Sequence, residues 1–262
     1  MNLPDASDRR PRAFTLDLDD TLWPILPTLR QAERVLRDWL ARHAPATLAW
    51  DGGQRMAALR LEVGRAHPEL AHDLSELRLI TLRRALAAAG DDPALAEPAF
   101  DAFMAVRQQV RWFDDVRPAL QRLAAHGPLL SLSNGNADLQ ATGLAPWFVG
   151  AVSARAVGVA KPDARIFGVA CERLGMAPQQ VMHIGDDWQA DIVGARRAGL
   201  HSAWVRRSHP ELAPHTSRPG ALPPSTDGLP EVDGHHVEVE DLLQLVDWLD
   251  GLPPVDPDTD RG

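Results

Sequence analysis

The 262-residue chain is poor in cysteine: Cys171 is its only one, so no intrachain disulfide can form and nothing marks an oxidising compartment. It also lacks any run of 18 apolar residues, which excludes a membrane-spanning helix. Arg9, Arg10 and Arg12 lead into no apolar segment of the signal-peptide kind, so cytoplasm is the expected location. A basic excess is missing too. The formal charge of −9 argues against nucleic acid or an anionic membrane as partner, and an anionic substrate would need a local positive site. No repeat of solenoid length is present. What remains is an ordinary globular composition, 45% hydrophobic and 24% charged, with length enough for one large domain or two modest ones.

Five short apolar segments each end at a polar or glycine-containing turn: Ala13–Leu18, Leu129–Leu132, Val149–Ser153, Val181–Ile184 and Ser202–Val205. They read as strands. Helical spacing between them, as in Ile166, Phe167, Ala170 and Leu174, or Ile192, Ala195 and Ala198 before a C-capping Gly199, predicts a doubly wound parallel α/β sheet. The interval from Pro24 to Phe113 is different. Leu29, Ala32, Val35, Leu36, Trp39 and Leu40 recur at helical steps, and Leu74, Leu77, Leu79, Ile80 and Leu86 mark a second helical stretch. So long an all-helical interval exceeds what a crossover needs, which predicts an inserted helical domain over 24–112 and a discontinuous core over 1–23 and 113–262. Residues 206–234 are rich in Pro and Gly and read as a surface loop, followed by an edge strand at His235–Val239, a terminal helix and a fraying polar tail.

The chemistry gathers at predicted strand ends. The first strand runs into Asp17, Asp19 and Asp20, and the fourth into Asp186 and Asp187, with Asp191 shortly after. Carboxylates converging from two strand ends repel unless a cation sits between them, and hard oxygen ligands select Mg²⁺ together with substrate phosphate oxygens. The second strand ends in Ser133, Asn134, Gly135 and Asn136, a turn whose hydroxyl and backbone N–H groups can hold phosphate oxygens. Lys161, after the third strand, offers one positive charge to set against the carboxylates. Each cluster alone has a bland reading as a turn or a solvated side chain. In order on successive strand ends they reinforce one another.

Asp17-Leu18-Asp19-Asp20-Thr21, Ser133, Lys161-Pro162 and Gly185-Asp186-Asp187-Trp188-Gln189-Ala190-Asp191 resemble the four motifs of the haloacid dehalogenase superfamily. The resemblance implies that Asp17 is a nucleophile that becomes an aspartyl-phosphate and that Asp19 is the general acid/base. It implies that Ser133, with Asn134 and Gly135, binds the phosphoryl group and that Lys161 balances charge. Mg²⁺ would be held by Asp17, Asp186 and the backbone carbonyl of Asp19, with Asp187 and Asp191 orienting metal-bound waters. An aspartate two positions after the nucleophile is not found in the true dehalogenases, so the implied reaction is hydrolysis of a phosphate monoester of a small metabolite. The helical insertion would be a cap that closes over the site and selects the leaving group. Ala66–Asp73, Ser133–Ala137 and Ala203–Arg206 further resemble bacterial phosphatases of the riboflavin pathway, which act on 5-amino-6-(5-phospho-ribitylamino)uracil or flavin mononucleotide. A phosphomutase and a non-catalytic phosphometabolite-binding protein are the alternatives.

Trp23 and Pro24, where the chain leaves the catalytic loop, are candidates either for a hinge and apolar wall or for plain packing. His209, His215, His235 and His236 have no metal-ligand spacing. Cys171 falls on the apolar face of its helix and reads as packed, while Gly194-Ala195 and Ala198-Gly199 permit close approach.

Overall fold

The computed structural model describes residues 10–212 and 235–252. Most of the Pro-rich stretch, His215 and the polar tail lie outside them. Six parallel strands form one sheet: β1 (Ala13–Leu16), β2 (Leu129–Ser133), β3 (Gly150–Ser153), β4 (Val181–Gly185), β5 (His201–Val205) and β6 (His236–Val239), in the order β3-β2-β1-β4-β5-β6. The four inner strands are buried along their whole length, because continuous apolar runs need cover on both faces. The edge strands β3 and β6 are only partly covered.

Between β1 and β2 the chain makes α1 (Ile25–His43), α2 (Pro45–Asp51), α3 (Arg55–Ala66), α4 (Leu74–Ala89), α5 (Ala96–Arg107) and α6 (Val116–His126). After β3 come α7 (Ala154–Val157) and α8 (Ala164–Leu174), after β4 a π-helical turn (Trp188–Val193) running into α9 (Gly194–Arg197), and after β6 the last helix α10 (Leu242–Asp250). Strand alternation divides the core in two. Phe14 and Leu16 pack with α6 and α10, through Leu120, Leu123, Leu245 and Leu249. Ala13, Leu130 and Leu132 pack with α8, through Ile166, Phe167, Ala170 and the buried Cys171. Burial pushes the Cys171 thiol up to about 11, which keeps it an inert packing group.

Helices α1–α5 have a third core of their own. Ala32, Leu36 and Leu40, one turn apart on α1, meet Leu82 and Leu86 of α4 and Ala99 and Phe103 of α5. Asp73 caps α4 by accepting from the Glu76 N–H, and Gly90 ends it in the left-handed region at φ 86°. The chain returns to the sheet through 108–115, where Asp115 pairs bidentately with Arg207 at 2.8 and 2.9 Å and also accepts from the Leu242 N–H. Arg207 reaches on to the Thr21 carbonyl at 2.7 Å, so a single buried guanidinium ties the loop after β1 to the end of β5 and the start of α10.

Candidate active site

All of the predicted site residues stand at the carboxyl edge of β1, β2 and β4 or in the loops that follow β1 to β4, where an open parallel sheet binds its ligands. The loop after β1 is tightly folded. The Leu22 N–H donates to the Leu18 carbonyl, the Asp20 N–H to the Trp23 carbonyl, and the Ile25 N–H to Asp20 Oδ1. Asp20 sits at φ 60°, a left-handed conformation that Asp tolerates better than most residues. This fold leaves Asp17 and Asp19 facing the site on either side of buried Leu18.

Lys161 is the hub. Its Nζ donates to Asp17 Oδ1 at 2.7 Å and to the Leu132 carbonyl at 2.8 Å, and pairs with Asp191 Oδ1 at 2.6 Å. Its side chain is 2% exposed, so these contacts act in a poorly screened setting. Asn134 fixes the lysine from behind: its Oδ1 accepts from the Lys161 N–H at 2.8 Å and its Nδ2 donates to the Lys161 carbonyl at 3.0 Å. Asn134 was expected to bind substrate. In the structure its amide oxygen and nitrogen are engaged with the backbone N–H and C=O of Lys161, a donor and acceptor pair that a planar amide matches. Ser133 Oγ accepts from the Gly135 N–H at 3.0 Å, and its hydroxyl proton remains available to donate.

Asp17, Asp186 and Asp191 offer oxygens that all lie within 4.8 Å of one another. The carboxylate of Asp19 is not in this group; the expectation for it concerned its backbone carbonyl. Burial, against the pull of Lys161, pushes the Asp17 carboxyl up to about 7. Burial and the repulsion of Asp17 and Asp191 push Asp186 well above the carboxylate range, although the Thr21 hydroxyl donates to it at 2.7 Å. Burial works the same way on Asp191, but Lys161 and the His183 hydrogen bond outweigh it and hold Asp191 below its ordinary value. Conversely, Asp17 and Asp191 raise Lys161 above its ordinary value despite the opposing effect of burial. The fully buried His183 is kept neutral by desolvation. A carboxylate can only accept, so the imidazole Nε2 donates to Asp191 at 3.0 Å and Nδ1 accepts from Thr15 at 2.8 Å. Asp187 borders the site, yet its Oδ1 caps the π-helical turn by accepting from the Gln189 and Ala190 N–H groups.

Asp19 has partners that sequence reasoning missed. Arg107 Nη2 donates to both of its oxygens, at 2.8 and 2.7 Å, and the Trp23 indole N–H donates to Oδ1 at 2.8 Å. Arg107 ends α5 and carries no motif, and only folding brings it to a loop 88 residues upstream. Trp23 is wholly buried in the core cluster that also holds Leu18 and Leu22, and its indole N–H is an orienting donor to Asp19. Two glycines permit the close approaches: a Cβ at Gly185 would lie 2.3 Å from the Asp191 carboxyl carbon, and one at Gly135 would lie 2.6 Å from Asp19 Oδ2. Asp19 also borders two spaces. One, of about 160 Å³, is lined by Asp17, Asn134, Lys161 and the acidic residues of the β4 end. The other, of about 230 Å³, reaches under α1–α5 between Ile25, Leu29, Leu74, Leu77, Phe103 and three arginines.

The model of the haloacid dehalogenase-like hydrolases matches residues 11–199. The chain belongs to that family. It is 30% identical over 204 residues to the 5-amino-6-(5-phospho-D-ribitylamino)uracil phosphatase YigB of Escherichia coli (strain K12), covering 76% of this chain and 85% of that one. It is 34% identical to a phosphoserine phosphatase of Thermus thermophilus, over 78% of this chain and 93% of the relative. Among solved structures, a 2-haloacid dehalogenase from Pseudomonas syringae pv. Tomato DC3000 superposes with a TM-score of 0.77 at 33% identity, covering 92% of this chain and 98% of that chain. This haloacid dehalogenase-like hydrolase is an enzyme of the phosphatase kind.

Proposed function

We propose that the enzyme hydrolyses phosphate monoesters of small metabolites in two steps, with Asp17 as nucleophile, Asp19 as acid and base, and Mg²⁺ as cofactor. The observation that carries this reading is the pairing of two carboxylates in different surroundings: Asp17 on Lys161 within the acidic triad, Asp19 on Arg107 and Trp23 two residues away. An Asp17 oxygen attacks phosphorus as the bond to the leaving oxygen breaks, and Asp19 gives its proton to the departing alkoxide. Asp19, then a carboxylate, takes a proton from the water that displaces the phosphoryl group from Asp17. Lys161 offsets charge on the phosphoryl oxygens, and the Ser133 hydroxyl donates to them, with its Oγ held by the Gly135 N–H. A halide leaving group needs no proton, so an acid and base at position 19 accords with phosphate hydrolysis rather than dehalogenation.

The donor set fits a hard divalent cation. Three carboxylates converge on one point, and two of them are pushed toward protonation while only one lysine is there to offset them. Asp17, Asp186 and Asp191 would hold Mg²⁺, with the Asp19 carbonyl as a further oxygen. When bound, Mg²⁺ neutralises charge that develops on the transferring phosphoryl group.

Helices α1–α5, within 24–112, serve as the cap in this reading, and the cavity beneath them receives the leaving group. The finer assignment is a ribityl phosphate bearing a planar ring, as in flavin mononucleotide or the ribitylaminouracil phosphate. It is supported by the likeness to YigB and by the apolar wall of Leu29, Leu74, Leu77 and Phe103. The single cysteine accords with a reducing, cytoplasmic setting, and among the described residues no helix is long and apolar enough to cross a membrane. The test is phosphate release across a panel of phosphorylated metabolites with Mg²⁺ and with EDTA. Mg²⁺-dependent release with these ring-bearing esters at the top supports the proposal, and full activity in chelated enzyme contradicts it.

A further inference from the structure

The cavity under the helices holds an unusual polar element. The Arg107 side chain is 3% exposed and spends Nη2 on Asp19, but its Nη1 is buried with no hydrogen-bond partner. A charged donor left unsatisfied in the interior is costly and rarely retained without a ligand to meet it. A second orphan, Arg60 Nε, belongs to another residue lining the same cavity. Arg60 and Arg78 share Glu33, at 3.1 and 2.8 Å, so three guanidinium groups around this space are matched by two carboxylates, Glu33 and Asp19. Apart from Asp19 and Asn136 the remaining side chains of the wall are apolar, with Arg78 lying 3.8 Å over the Phe103 ring.

We infer that Arg107 reads an oxygen of the leaving group close to the ester, so that the substrates are phosphate esters of polyols or similarly acceptor-rich molecules rather than plain alkyl esters. This rests on the reading of Asp19 as the acid. The two terminal nitrogens of one guanidinium are rigidly adjacent, so an oxygen that reaches Nη1 lies beside the atom that Asp19 protonates. A hydroxyl on the neighbouring carbon meets that requirement. Arg60 Nε can donate to a further oxygen of the same group. Arg107 is thus both a positioning residue for Asp19 and a specificity residue for substrate.

The test compares kcat/KM for ribitol 5-phosphate and pentyl phosphate, which share carbon count and leave as primary alkoxides. The wild type should favour the polyol ester by on the order of tenfold or more, the size of one charge-assisted hydrogen bond, even though the alkyl chain is the more hydrophobic. In Arg107→Met that ratio should fall to about one or below. Disturbing Asp19 lowers both rates alike and leaves the ratio unmoved, so a preserved preference in Arg107→Met overturns the inference while leaving the phosphatase reading intact. Where Arg107→Met does not fold, Arg107→Lys must lower the same ratio. A wild-type ratio near one also overturns it. Absence of phosphate release from every ester would instead defeat the phosphatase reading on which it rests.

Discussion

Replacing Lys161 by Met tests the electrostatic construction of the site. Met keeps most of the volume and flexibility of the stem, so the main loss is the ammonium and its contacts with Asp17, Asp191 and the Leu132 carbonyl. Three carboxylates within 4.8 Å of one another then lose their ammonium partner, while the Thr21 hydroxyl still donates to Asp186 and the His183 imidazole to Asp191. Removing one partner of a buried ion pair costs about 3–5 kcal/mol, a large part of the ~5–15 kcal/mol stability of an ordinary domain. At an m-value of about 3 kcal/mol per M that is a fall of roughly 1 M or more in the urea midpoint, readable from the intrinsic fluorescence of the eight tryptophans. The deficit should depend on conditions. Mg²⁺ replaces the missing positive charge, and at a hundred times its Kd it returns about 2.7 kcal/mol, so the variant should gain more from Mg²⁺ than the wild type. The deficit should also be smaller at pH 5, where Asp17 is protonated with or without the lysine, than at pH 8, where the wild-type carboxylate is charged against Lys161 and loss of the lysine pushes the carboxyl further up. An equal deficit with EDTA and with Mg²⁺, at both pH values, would refute the electrostatic reasoning and leave Lys161 a packing residue.

Asp19→Asn should lower kcat about 10²–10⁴-fold on alkyl phosphates, and less on p-nitrophenyl phosphate, whose leaving group needs little protonation; steady-state kinetics on the two ester types check this. Folded, Mg²⁺-free Asp17 has its pKa raised from 3.8 to about 7, so it holds a proton that the unfolded chain has lost between those values, and Mg²⁺ must displace that proton to bind. Mg²⁺ affinity measured by calorimetry should accordingly weaken as pH falls below about 7, and a flat profile from pH 5 to 8 would count against Asp17 as a ligand. Gly185→Ala and Gly135→Ala should separate two effects. The first drives a methyl group into Asp191 and should cost about 1–3 kcal/mol of stability as well as activity. The second displaces the partly exposed carboxylate of Asp19 and should cost activity with a smaller change in the thermal midpoint.

The sheet was legible because its strands are short apolar runs that stop at Asp, Ser or Gly, and burial on both faces leaves such runs no other place. The acidic clusters were legible for the same reason: carboxylates right after a buried strand stand at its carboxyl end. Partner choice was not. Asn134 has the right chemistry for phosphate and for a peptide unit, and only the position of Lys161 decides between them. His183 and Thr15 lie inside strands, where a polar residue gives no sign of what it meets across the ladder. Periodicity placed Leu74 and Leu77 on an apolar face of α4, yet they line the cavity beside Asp19 rather than the helical core, since spacing reveals a face but not its cover. Arg107 was beyond reach altogether, a lone arginine whose role exists only once α5 returns to the sheet.

The central claim is that the phosphoryl group passes through Asp17. Its most direct measurement is mass analysis of the Asp17 peptide after rapid acid quenching of enzyme turning over p-nitrophenyl phosphate with Mg²⁺. The account predicts a fraction of that peptide heavier by one phosphoryl group, at Asp17, and absent from Asp17→Asn, which should fold normally and not turn over. Phosphate release at the wild-type rate by folded Asp17→Asn, or a phosphoryl group trapped on a different residue, would contradict it.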